Sequence, residues 1–553
     1  MNYEPNEPQD WHVLIEFTLD SKTWRITDEY LVLSDDTVYL PYLKNHSSLM
    51  RALGLVLDPR LVHSAMQIQI DNRNDVFETE LLAENFGNRT VDIKIGYGET
   101  AANYASVYCG IVKHPGGIRY NETFASIDAQ ARFSADDRNI PFNKFFSSTY
   151  ANVEAKSENL PIPIVYGSWL TTDNGAVTVP CYCIDTTAGT GGKFKVSDRE
   201  LKTIEVVYKN GSDITGNCTL DAANGEFTIS STTTYDPTVD TITVNCSGCT
   251  DDKLTSGNLL QTLPKIADDI LTEYMSVPSG NIDSTAFTTW EGELSVSDYG
   301  RGVITQERLA SSYLTELLIE GFADFTIIDD KYTPIYRISS IASGIPTFYD
   351  FDISDNPDQT KMFETVRDKE RVWANDIVGK YNRSYSHNEI AATYKGGYDA
   401  SDSSSITNNN GRRRRRLELN WLYIQAGAEA RINREKFVFA DEIDSVIGTF
   451  KSGAVSLGPT DQFKLVYKNY DLGGEIGTPF QIRKITTDFK RSSPTAKIEA
   501  WSMLQMSPGR WTNNTAPDWS SSSAYQRSIQ GYWCDSGGLA DAADLASAVS
   551  IWF

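Results

Sequence analysis

Met66-Gln67-Ile68-Gln69-Ile70-Asp71 and Val91-Asp92-Ile93-Lys94-Ile95-Gly96-Tyr97 decide the fold class. Both alternate apolar and polar residues with a period of two. An extended chain points successive side chains to opposite faces, so this alternation marks strands of a sheet buried on one side. Outward from this pair, Val13–Phe17, Ser21–Ile26, Thr37–Leu40 and Tyr104–Val112 read as further short strands rich in β-branched and aromatic residues. Lys113-His114-Pro115-Gly116-Gly117 closes the last of them as a turn. Strands at this spacing predict an antiparallel sandwich or barrel.

The pattern changes after residue 150. Leu160-Pro161-Ile162-Pro163-Ile164-Val165-Tyr166-Gly167 is held extended by its two prolines. Leu201–Tyr208, the turn Asn210-Gly211, Cys218–Leu220, Glu226–Ile229 and Asp240–Asn245 read as hairpins of a separate β-rich module. Leu260–Met275 and Thr305–Ala323 carry apolar residues at helical spacing, the first with Pro264 in its opening turn. Phe325–Ile328 and Pro334–Ile338 read as strands, and they return at Ala374–Tyr381, Glu389–Tyr394, Phe463–Tyr467 and Ile482–Phe489, with a helix predicted over Leu417–Ala430. From Gly509 the chain is Gly/Ser/Asp/Trp-rich and poor in aliphatic residues, which predicts an extended or partner-ordered arm.

Composition narrows the function. The 553 residues carry 50 basic and 74 acidic side chains, a net charge of −24. Such a surplus disfavours general binding to nucleic acid or anionic membrane, both of which need positive charge. No apolar run is long enough to span a membrane, and the acidic start lacks the pattern of a secretion signal. The seven cysteines are therefore expected to be reduced thiols. Five histidines, scattered along the chain, give little material for imidazole catalysis.

Few motifs carry chemistry. Asp535-Ser536-Gly537-Gly538 matches the surroundings of a serine nucleophile, yet too little chain follows it to complete a second barrel. Gly189-Thr190-Gly191-Gly192-Lys193-Phe194 lacks the first glycine and the final Ser/Thr of a phosphate loop and reads as a turn. Cys181-Tyr182-Cys183 and Cys246-Ser247-Gly248-Cys249 offer four thiolates in one module, a donor set for zinc or an iron–sulfur cluster, against the plainer reading of buried thiols. Arg412 to Arg416 is a run of consecutive arginines that suits a phosphate or an acidic protein surface, against the plainer reading of a solvated edge. Asp236, Asp240, Asp251 and Asp252 form neither a calcium loop nor a paired acid/base signature. No catalytic or cofactor-binding residue is assigned, and a non-enzymatic chain is expected.

The order of several segments resembles the tail-tip or baseplate hub proteins of tailed bacteriophages and gene transfer agents. The segments are Ser21–Ile26, Val91–Gly98 and Tyr108–Val112, then Leu160–Gly167 leading into Phe194–Asp198 and Val206–Gly211. Val372–Asp376 to Tyr381-Asn382, Gly477–Ile482 to Ala500-Trp501, and Gly509–Thr512 with Gly531–Trp533 follow. The resemblance implies a mainly β, multidomain chain with α+β parts: two tube-like β-barrels, an inserted β-rich module and a few helices. The corresponding segments are a hub barrel at 1–155, the inserted module at 156–257, a helical α+β connector at 258–349, a second barrel-like domain at 350–508 and a C-terminal arm at 509–553. It further implies a structural protein of the virion tail, assembled in the host bacterial cytoplasm. Three copies would join the sixfold tail tube, or distal tail protein, to a central threefold spike or fibre. They would contact the tape-measure protein and line a lumen through which DNA passes without specific binding. The competing expectations are a carbohydrate-binding tail adhesin, gripping sugar through the 156–257 module, and a cell-wall hydrolase acting through paired carboxylates.

Overall fold

In the computed structural model, Met66–Asp71 and Thr90–Tyr97 are strands of one antiparallel sheet, as their alternation predicts. Met66, Ile68, Ile70, Val91, Ile93 and Ile95 face its core and are buried. The structure describes residues 10–53, 61–63, 66–73, 75–130, 137–173, 177–188, 191–230, 232–328, 331–337, 344–355, 363–367, 373–385, 393–440, 444–467, 478–489, 494–503, 510–511, 530–534 and 550–552. The strand order of this first sheet is Thr23–Ile26, Trp11–Thr18, Thr90–Tyr97, Ala105–Val112, Phe124–Gln130, Met66–Asp71, Leu43–His46. Its two ends meet at one corner. The Thr27 N–H donates to the Leu40 carbonyl at 2.9 Å, and the Leu43 N–H donates to the Thr27 carbonyl at 2.9 Å. These bonds satisfy backbone groups that an open edge would leave exposed. Phe17, Trp24, Phe77 and Phe86 fill the interior with tilted and edge-on ring contacts. A short hairpin, Leu31–Val32 with Val38–Tyr39, folds as a flap over the outer face, where Leu14, Leu31, Leu33 and Tyr39 make a small core of their own.

The second large sheet runs Thr347–Tyr349, Gln462–Val466, Thr478–Asp488, Thr495–Ser502, Asp444–Phe450, Phe363–Arg367. Its pivot is the long strand Thr478–Asp488. The first part of that strand pairs with Gln462–Leu465, while Lys484–Thr487 pairs with Leu49–Ala52 from the beginning of the chain. A bulge at Arg483 on the side facing Thr495–Ser502 separates the two stretches, and such a bulge bends a strand. The chain thus leaves the first sheet at His46 and enters the second at Leu49. One hydrophobic core accordingly gathers residues of both sheets, from Trp11 to Ala129 and from Phe348 to Ala500.

The middle of the chain builds two other cores. The β-rich module is a pair of four-stranded sheets, with Thr203–Lys209 and Ile242–Ser247 central in one and Lys193–Lys195 and Glu226–Ile229 central in the other. Beside it, Leu263–Asp269, Ser284–Glu293, Ala310–Glu320 and Gln425–Phe439 are helices. They pack with the three-stranded sheet Thr393–Ser401, Asp376–Ser384, Arg414–Glu418. Among the described residues, no helix is long and apolar enough to cross a membrane.

The structure is mainly β, multi-sheet and multidomain, with few helices, as expected. It departs from the sequence expectations locally. The helix predicted over Leu417–Ala430 begins only at Gln425 and runs to Phe439, because Arg414–Glu418 is a strand parallel to Asp376–Ser384. Of the strand expected over Glu389–Tyr394, Thr393 and Tyr394 belong to the strand Thr393–Ser401, and residues 389–392 lie outside the described residues. The tail contains a three-stranded sheet, Arg510–Trp511, Gln530–Cys534 and Ser550–Trp552, where only an extended arm was expected.

Candidate assembly surfaces and the buried charges behind them

The four cysteines weighed for metal binding sit in two different cores. Cys181, Cys183 and Cys246 belong to the interior of the β-rich module, whereas Cys249 belongs to the neighbouring helical core. All four are buried free thiols. Burial pushes Cys183 and Cys249 up to about 12 and moves Cys181 and Cys246 upward too, so the sulfurs keep their protons at neutral pH. Among the described residues, the group of three or more His, Cys, Asp or Glu close enough to hold an ion does not include them. Gly191-Gly192 leads into the strand Lys193–Lys195, while Gly189-Thr190 and Asp535–Gly538 lie outside the described residues. The loop acids are engaged locally: Asp240 pairs with Lys209 at 2.8 Å, Asp251 accepts from Asn258, and Asp252 from Leu254.

The arginine run is partly engaged within the chain, with Arg412, Arg414 and Arg416 exposed. Arg414 reaches Asp376 at 2.6 Å, and Arg412 lies 3.7 Å from the same carboxylate. The Arg413 guanidinium stacks 4.2 Å from the Trp373 ring centroid. Arg415, nearly buried, pairs with the fully buried Glu435, which also receives Arg431 at 2.9 Å. Arg414, Arg415 and Arg416 lie on the strand Arg414–Glu418, which ends the three-stranded sheet, and Arg414 and Arg415 tie that strand to Asp376–Ser384 and to the helix Gln425–Phe439.

Three further polar clusters were not visible in the sequence. Asp324, buried at the start of the strand Ala323–Ile328, is shared by two buried guanidiniums: Arg337 at 3.0 Å and Arg483, at the bulge of the long strand, at 2.6 Å. Burial alone would raise the Asp324 carboxyl, but the two cations hold it below the usual range. This triad ties the helical core to the second large sheet. Glu320, the last residue of its helix, accepts backbone N–H groups from Asn420 at 2.5 Å, Trp421 at 2.9 Å and Leu422 at 2.8 Å. Burial pushes it up to about 8, against the pull of those three donors. Arg301 lies between the rings of Trp169 (4.6 Å) and Tyr423 (4.2 Å), joining module to helical core, and desolvation lowers it to about 10. Each cluster assembles residues far apart in sequence, so no local spacing announces it.

The surface carries large apolar groups. Tyr30 is 63% exposed at the flap, with Val32 and Val38 beside it. Tyr349 and Phe351 stack on each other, 5.3 Å apart and 10° from parallel, and Phe351 is 57% exposed. They stand at a cavity of about 380 Å³ lined also by Trp11, Pro346 and Leu457, where the two large sheets adjoin. Among the described strands, Phe363–Arg367 ends the order of the second sheet.

No family model matches the chain, and no curated protein matches it. Solved structures do. The 43 kDa tail protein of prophage MuSo2 from Shewanella oneidensis aligns with a TM-score of 0.39 at 11% identity, covering 89% of this chain and 99% of its own. The tail protein from Neisseria meningitidis MC58 aligns at 0.38 and 8% identity, covering 88% of this chain and 96% of its own. A chain of the native gene transfer agent virion aligns at 0.40 and 12% identity, covering 64% of this chain and 86% of its own. The structural neighbours are thus proteins of phage-type tails and a related virion.

Proposed function

We propose that this chain is a structural, non-enzymatic subunit of a phage-type tail, and within the tail its hub. The observation that carries the reading is the fusion of two large, mostly antiparallel sheets through one core and through the chain that passes directly from the first at His46 to the second at Leu49. Three such chains present six sheet units, the number needed to meet a sixfold tube while keeping threefold symmetry toward a spike or fibre. The resemblance in segment order supports the same reading. In that assembly the two sheet units face the tube or distal tail protein and the tape-measure protein, and the inserted β-rich module lies away from the ring. A net charge of −24 suits a wall along which DNA slides, since fixed negative charge repels phosphate.

Electron microscopy of the purified protein, with its solution mass measured in parallel, tests the proposal. The expected result is threefold rings with a central hole and a mass about three times that of the 61.6 kDa chain. A particle that stays monomeric when mixed with its tail-tube protein, and forms no ring there, overturns it.

A further inference from the structure

His12 is 96% out of solvent, at 4% exposure, on the outer face of the opening strand Trp11–Thr18, in the space where the flap begins. Carboxylates surround it. Its Nδ1 faces Asp28 Oδ1 at 3.5 Å and its Nε2 faces Glu29 Oε1 at 3.6 Å. Both separations exceed those of a charge-assisted hydrogen bond, about 2.7–2.9 Å. Among the described residues, Nε2 makes no hydrogen bond. One donor atom from each of Asp10, His12 and Glu29 lies within 4.8 Å of the other two.

We propose that Asp10, His12 and Glu29 bind one divalent transition-metal cation of the zinc class. The donor set is one imidazole nitrogen and two carboxylate oxygens, which suits a borderline-soft ion and leaves a fourth position for water. Asp28 supplies the outer support. It accepts the Thr27 hydroxyl at 3.1 Å and stands against Nδ1, the arrangement that fixes a histidine tautomer so that Nε2 points at a metal. Asp10 and His12 are two apart on an extended chain and so share a face. Glu29 sits at the entrance to the flap, so the ion pins the flap, with its exposed Tyr30, to the outer wall of the first sheet.

The test uses the full-length chain, stripped with a chelator and dialysed against micromolar Zn²⁺, with bound zinc counted by atomic emission. Asp10 is exposed and Glu29 half-buried at the surface, and the isosteric changes Asp10→Asn and Glu29→Gln are expected to leave the fold intact, which circular dichroism checks. The expected result is one zinc per chain, at least tenfold weaker binding in each variant, and full binding in Cys181→Ser/Cys246→Ser. No retained zinc, equal binding by Glu29→Gln and the parent, or loss of zinc only in the cysteine variant overturns the proposal. So does a preference for Ca²⁺ over Zn²⁺, which would leave the imidazole no role.

Discussion

Asp324 carries more of the structure than its single side chain suggests. It is shared by two buried guanidiniums, Arg337 and Arg483. Removing one member of a buried charge group leaves the others unpaired and costs about 3–5 kcal/mol. Asp324→Ala is therefore expected to destabilise the protein by about that amount in urea unfolding, and a loss below about 1 kcal/mol would refute the assigned role. Glu320 makes a different prediction. Its carboxyl is raised to about 8 in the folded chain from 4.5 when unperturbed. Between those values the folded state binds the proton more tightly than the unfolded state, so this group's contribution falls as pH rises toward 8. The slope approaches about 1.4 kcal/mol per pH unit. Glu320→Gln has no proton to lose, and its stability is expected to vary less from pH 5 to 8 than that of the parent; identical slopes would refute this.

At the scale of elements, the helix Gln425–Phe439 shows packing overriding propensity. Alanine is a better helix former than glycine by about 1 kcal/mol. A Cβ at Gly427 would nevertheless collide with the backbone carbonyl of Ser297, and backbone cannot swing aside. Gly427→Ala is expected to lower the melting temperature by several degrees, and a rise would show that the helix can shift. The elements that could be read from the sequence are those whose pattern is local. Met66–Asp71 and Glu226–Ile229 alternate and are strands at the predicted bounds. Pro264 opens the helix it was expected to open. Ser284–Glu293 was missed because it buries only Phe287 and Trp290, too narrow a stripe to show periodicity. Leu417–Ala430 was misassigned because Leu417, Trp421 and Ile424 stand at helical spacing while Leu417 and Leu419 alternate as in a strand, and Glu320, distant in sequence, holds the loop that follows. The arginine run announced charge on a surface, but its partners Asp376 and Glu435 come from other segments. The candidate metal group was equally hidden, since Glu29 meets Asp10 and His12 only once the flap has folded.

At the scale of the whole molecule, the acidic surplus sets how copies meet. Chains of charge −24 repel one another at long range, and salt screens that repulsion within about 10 Å at 0.1 M. If apolar groups such as Tyr30 and Phe351 make the contact, association is expected to tighten as sodium chloride rises from 50 to about 500 mM, as sedimentation velocity would measure. Weakening over that range would mean that ion pairs across the contact dominate. The long strand Thr478–Asp488 has a mechanical consequence. It is gripped along its length by Gln462–Leu465 and Leu49–Ala52 on one side and by Thr495–Ser502 on the other. A pull along its axis loads those backbone bonds in shear, many together, instead of unzipping them in turn. Tension carried by the chain from Leu43–His46 of the first sheet into Leu49–Ala52 is therefore taken up in shear by this strand, and a pull on the first sheet loads the second.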